Sequence, residues 1–379
     1  MTQAGNIRNR LDRYEEYVRA DPANPSLLGE AFDVALAAGE LDDAERHIGR
    51  ALAQWPGDVY FLNRSAQLHA ARKDWAAAES VLGDLCARHP DQVGLMISLA
   101  SIRYHTGRYE ETRAMLERLL ASGDLPAEGY ALLLRSLHRL NDLPAAVKVI
   151  DSHHDAVAGQ AETVGVAALI FLDAGDFANA ASWSEIALQR DPSSPEGLVT
   201  ASAVALARKE VGAAQALLNR ALQVRPQEGR VWSSLGLVSL LRQDFDQAGQ
   251  QLERATVLMP DHIGTWHVLG WVYIFRGDAV AGERIFRHAL AMDRNFAESH
   301  GGLAVTLAMQ SKREEAEEEV KIAQRLDPKS LSAYYASALL KGDVTDRERF
   351  AALTRRALGA TEAPGGGDLA SWIDRGPLH

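Results

Sequence analysis

The chain has 379 residues, a formal net charge of −11, a pI near 5.6 and one cysteine, Cys86. The acidic balance argues against a nucleic-acid footprint. No run approaches the roughly 18 apolar residues that a membrane-spanning helix needs. Met1 to Leu11 is polar and lacks the apolar centre of a secretory signal. A lone cysteine cannot form an internal disulfide and fits a reducing cytosol, so the expected location is cytoplasmic. Arg outnumbers Lys 33 to 7 alongside abundant Ala, which suggests a GC-rich, bacterial genome.

Residues 1–24 read as an N-terminal capping helix. Between Asn6 and Ala20, Leu11, Tyr14 and Val18 share one stripe among Arg8, Arg10, Asp12, Arg13, Glu15, Glu16 and Arg19. From residue 25 onward two combs appear. Small residues fall at Ala44, Ala78, Thr112, Ala146, Ala180, Ala214, Ala248, Gly282 and Ala316, each step being 34 residues. Pro22, Pro56, Pro90, Pro192, Pro226, Pro260 and Pro328 form a second comb of the same period. Fixed self-similarity of this length means stacked supersecondary units. Although the length alone gives a prior of two or three domains, the period predicts one elongated array of nine units over residues 25–330.

Within one unit the apolar residues sit at helical spacing. Trp232, Leu235 and Ser239 define one one-sided helix, and Ala248, Leu252 and Ala255 another. Gly39, Gly107, Gly175 and Gly277 stand at the turn between them, where Gly tolerates the left-handed conformation that ends a helix. The proline then stops the second helix. Since no pair buries its apolar face alone, neighbours must stack.

Trp266, Leu269, Gly270, Tyr273, Gly277, Gly282, Phe286 and Ala289, and likewise Trp232, Leu235, Gly236, Phe245, Ala248, Leu252, Ala255 and Pro260, resemble the tetratricopeptide repeat pattern. That resemblance implies an all-α, right-handed superhelical solenoid of antiparallel helix pairs. Repeat 4 departs most. It has Ala158 in the proline place and His153 where a small residue is usual, and Pro126 arrives two residues late. A looser turn is expected there, with the repeat retained.

Residues 331–359 read as a degenerate tenth repeat and C-terminal cap. Tyr334, Ala338, Phe350 and Ala357 keep register while Asp346, Arg347, Glu348, Arg349, Arg355 and Arg356 make the outer face polar. Residues 360–379 read as a flexible tail. Its Ala370-Ser371-Trp372-Ile373 stretch, tethered by Gly365-Gly366-Gly367, is a candidate to fold back onto the apolar groove.

Catalytic constellations are missing from the sequence. No glycine-rich phosphate loop ending in Lys-Ser/Thr and no His-Glu-x-x-His occurs. Cys86 reads as a packing thiol. His153-His154-Asp155 is the densest set of metal-type ligands, yet adjacent helical residues point in different directions. The expectation is no enzyme, no cofactor and no metal.

Counting from 25, 59, 93 and so on, the resemblance places positions 2, 5, 9, 12 and 13 of each first helix on the concave face. Repeats 2–4 then present a polar set that includes Asn63, Tyr104, His105, Arg135, His138 and Arg139. Repeats 5–9 present an apolar set: Leu169, Leu237, Leu241, Trp271, Phe275, Val305 and Met309, with Ile274 at a position that often packs internally. Position 9 does not define the fold, so Trp271 is expected to act as a partner anchor without which the chain still folds. Arg135 and Arg139 are four apart and could grip carboxylates. The clamp by which some relatives bind C-terminal carboxylates of chaperones needs Lys in first helices, and those of repeats 1–9 contain none. The expected function is an adaptor that holds a protein, peptide or amphipathic helix by its apolar anchors. The alternative is a chaperone of a secretion or surface-assembly system.

Overall fold

In the computed structural model, which describes residues 3–342, every regular element is an α-helix. Phe350, Ala357, the charged cap residues and the Trp372-Ile373 tail lie outside the described residues. The chain divides into two compact units, Met1–Thr163 and Val164–His379.

The first unit opens with the helix Gln3–Ala20, whose Leu11 and Val18 are buried against Leu28 and Phe32. Helix pairs follow: Pro25–Ala38 with Leu41–Gln54, Val59–Ala71 with Trp75–Arg88, and Val93–His105 with Tyr109–Ser122. The fourth pair is Ala127–Arg139 with a shortened Leu143–Ser152. There the second helix breaks at His153, with φ −128°, and a six-residue helix His154–Gly159 completes the repeat. Without a proline to stop it at 158, the segment rejoins the core through Val157, which is fully buried. The looser geometry thus falls at His153, within the second helix.

The second unit stacks five pairs and a final helix. The pairs are Ala161–Asp173 with Phe177–Arg190, Pro195–Ala207 with Val211–Val224, Gly229–Leu241 with Phe245–Leu258, Ile263–Phe275 with Ala279–Met292, and Ala297–Met309 with Arg313–Leu326. Leu331–Lys341 ends the described chain.

Each device recurs with the period. Ala44, Ala78, Thr112, Ala146, Ala180, Ala214, Ala248 and Ala316 are all fully buried where two backbones meet. A Cβ on Gly282 would lie 2.9 Å from Thr306 Cγ2, so that contact tolerates little more than glycine. A left-handed residue falls every 34 positions from Gly39 to Ser311, including Lys73, Asn141, Lys209 and Gln243 as well as the expected glycines. One residue later, Asp74, Asp142, Asp176, Asp244 and Asp278 cap the second helix by accepting a backbone N–H at 3.0–3.2 Å. Trp232 and Trp266 each donate from Nε1 to the carbonyl of Pro226 and Pro260, at 2.9 and 2.8 Å.

Candidate interaction surfaces

In three places the last residue of a first helix meets the ring of the first residue of the preceding repeat's second helix. Phe275 stacks on Phe245 with centroids 5.4 Å apart and 24° between planes. In the first unit, His105 stacks on Trp75 at 5.5 Å and 20°, and these two positions are 170 residues, five periods, earlier. Arg139 lies over the Tyr109 ring at 5.7 Å, the same pair of positions again. These residues therefore sit along the edge where the two helices of each repeat turn. The first residues of the second helices were not visible as site residues in the sequence, because only a contact between repeats makes them so. The aromatic character of Trp75, Tyr109 and Phe245 at one register position is the signal that could have found them.

The polar candidates are largely engaged with one another. Tyr104 packs edge-on against Tyr109 at 5.3 Å and His105 at 5.6 Å, and the His105 ring nitrogen Nδ1 lies 2.8 Å from the Ser101 carbonyl. Arg135 pairs with Glu162, so the two arginines of this helix do not converge on one acceptor. His138 is half-buried. Asn63 is half-buried too, and its Oδ1 has no hydrogen-bond partner among the described residues.

The apolar candidates divide. Val305 is completely buried within the core built by Ile274, Phe286, Leu303 and Leu307, so it presents no surface. It belongs to a helix whose residues 299–307 are all buried, the stripe of Gly301, Gly302 and Ala304 letting neighbours close on it. Leu169 packs against the core of Leu198, Leu218 and Leu235, and Leu237 is half-buried. Trp271 is half-buried as well. It meets Phe275 and Tyr335 with centroids 5.7 Å away in each case, and packs on the core that contains Val305. Position 9 is thus part of the packing here, contrary to its expected independence. Three candidates remain exposed: Leu241 at 43%, Phe275 at 51% and Met309 at 39%. They are spaced by 34 residues, so they form one row on three consecutive repeats.

Beneath Trp271 lies His267. Trp271 Nε1 donates to His267 Nε2 at 3.1 Å, and the imidazole packs against Phe286 and Phe296 at 5.6 and 5.7 Å. Burial among these rings pushes its pKa down to about 4, so it is neutral at pH 7. With Nε2 accepting, the proton sits on Nδ1, which has no hydrogen-bond partner among the described residues.

Among the described residues no group of three His, Cys, Asp or Glu side chains could hold a metal ion. His154 faces Asp155, while His153 turns to the Val149 carbonyl. Cys86 is half-buried, and burial raises its thiol pKa. No helix among the described residues is long and apolar enough to cross a membrane.

The fold and its register define a class that the comparisons name. The tetratricopeptide repeat profile matches residues 35–93 and 171–237. The chain contains tetratricopeptide repeats over these residues. Among solved structures it is similar to a chain of the APC/C hetero-tetramer Cut9-Hcn1. The TM-score is 0.65 at 15% identity, covering 90% of this chain and 66% of that one, slightly under two thirds of its length. It is also similar to the human IFIT1 dimer with m7Gppp-AAAA, with a TM-score of 0.57 at 17% identity, covering 94% and 90% of the two chains. At these identities the likeness is one of fold. No curated protein matches the sequence.

Proposed function

We infer that the chain is a protein-interaction scaffold that holds a partner segment, preferably an amphipathic helix, on the exposed apolar row of repeats 7–9. One observation carries this reading. Leu241, Phe275 and Met309 stay 39–51% exposed although each recurs at the same register position, in a stack that buries most other large apolar side chains. Three apolar side chains in line on one face form a patch of the kind that marks an interaction site. Trp271, half-buried against Phe275, supplies part of its floor. Val305 is left out because it is buried.

The same surface would serve a cytoplasmic chaperone that shields an aggregation-prone client. The two roles separate by what is recovered with the chain: a single client, or two partners joined through it. The acidic net charge of −11 supports a protein partner over the RNA that is bound in the IFIT1 structure. The test is a triple substitution, Leu241→Ser, Phe275→Ser and Met309→Ser, compared with wild type by quantitative co-purification from the native cell. All three side chains are exposed, so circular dichroism should be unchanged while one or more proteins fall away. An identical set of co-purifying proteins would refute the reading.

A further inference from the structure

The charges beside the apolar row specify what flanks the partner's apolar stripe. Leu241 and Phe275 are each followed by an arginine, Arg242 and Arg276, and Met309 by Gln310; one repeat before the row begins, Arg208 follows Ala207 at the same register, and all three arginines are exposed. Arg276 is neutralised: its guanidinium lies 3.1 Å from Asp246 on the preceding second helix. Arg72 repeats that contact with Asp42 at 3.0 Å, six periods earlier. At the positions equivalent to Asp42 and Asp246, Arg208 finds Ala178 and Arg242 finds Gly212. Neither arginine has an ion pair among the described residues. The acidic groups nearby divide. Asp244 and Asp278 accept the backbone amides of Gln247 and Ala281 at 3.1 and 3.0 Å, whereas Glu185 and Glu210, which line the same groove as Arg208, form no ion pair with it.

We propose that Arg208 and Arg242 complete a docking edge for an acidic amphipathic helix, whose apolar residues seat on Leu241, Phe275 and Met309. The inference rests on the scaffold reading above and adds the sign of the partner. The spacing fits a helix. Neighbouring helices pack about 8–10 Å apart, which sets the step of the row. A partner helix rises about 10 Å in seven residues, so one apolar residue per heptad meets each repeat. Carboxylates beside that stripe then reach the two unpaired guanidinium groups, where Arg forms bidentate contacts.

The test uses two synthetic three-heptad helical peptides, each with one leucine per heptad, flanked by glutamates in one and by lysines in the other. Titration into the full chain at low ionic strength should show the glutamate peptide binding at least about tenfold tighter, the gap shrinking with added salt. Arg208→Glu with Arg242→Glu should reverse the preference, and Phe275→Ser should weaken both peptides. Equal affinity for the two peptides, lost in Phe275→Ser, would overturn the charge assignment while leaving the apolar surface standing. Binding of neither peptide to the folded wild type would overturn both.

Discussion

Gly270→Ala and Gly83→Ala are the same chemical change in the middle of a helix and should have opposite effects. An alanine Cβ at 270 would lie 2.5 Å from Phe286 Cζ and 2.8 Å from Cε1. Phe286 is completely buried and cannot withdraw, because its ring also closes on Gly302, where a Cβ would meet it at 2.4 Å. Overpacking of this kind costs about 1–3 kcal/mol. Alanine's better helix propensity returns about 1 kcal/mol. The expected net is a loss of up to about 2 kcal/mol, confined to repeats 8 and 9, because solenoid stability is a sum of neighbour terms. At Gly83 a Cβ meets nothing within 4 Å, so only the propensity gain remains, about 0.5–1 kcal/mol. Hydrogen exchange read by mass spectrometry resolves the location as well as the size. Gly270→Ala should speed exchange in 263–275, 279–292 and 297–309, leaving the first unit unchanged, and Gly83→Ala should slow it in 75–88. Slower exchange around 270 in the variant would refute the close-approach account of that glycine.

Three further outcomes follow from the geometry. Gln243 holds a left-handed φ of 62° that only Gly adopts freely, so in denaturant titrations Gln243→Gly should raise the unfolding free energy by about 1 kcal/mol and Gly277→Ala should lower it similarly. His267 has its pKa pushed from 6.5 to about 4. The unfolded chain therefore takes up a proton near pH 6.5 that the folded chain refuses until about pH 4. Its stability contribution is full above 6.5 and falls with pH through that window, by about 2 kcal/mol at pH 5 and about 3 in all. The wild-type loss of urea midpoint between pH 7 and 5 should exceed that of His267→Gln, and equal losses would count against burial as the cause. Trp271→Ala should weaken partner binding by about 2 kcal/mol. It should also loosen the helix Leu331–Lys341, since it removes the ring that meets Tyr335; unchanged exchange there would show that the contact contributes nothing.

The helix pairs, their turns and the buried small residues were legible because one period repeats them, so each local signal is checked by its neighbours. The break at His153 was legible only as a departure, since the missing proline says that the helix need not stop but not where it bends. Among site residues, the sequence placed side chains on a face without weighing their neighbours. Val305 reads as a surface residue by register, but it is buried because Gly301, Gly302 and Ala304 let adjacent helices close over its own helix. Arg135 and Arg139 read as a pair, but Glu162 and Tyr109, far apart in sequence, take them separately. The edge contact of Phe245 with Phe275 links two repeats, and no pattern within one repeat reveals it.

The most direct test of the scaffold reading replaces Phe275 with a photo-crosslinking amino acid in the native cell. The control places the same group at Val257, which is 70% exposed but lies on a second helix, outside the row. The account predicts a discrete crosslinked protein from position 275, attached through an amphipathic segment, and none from 257. The same products from both positions, or none from 275, would contradict it.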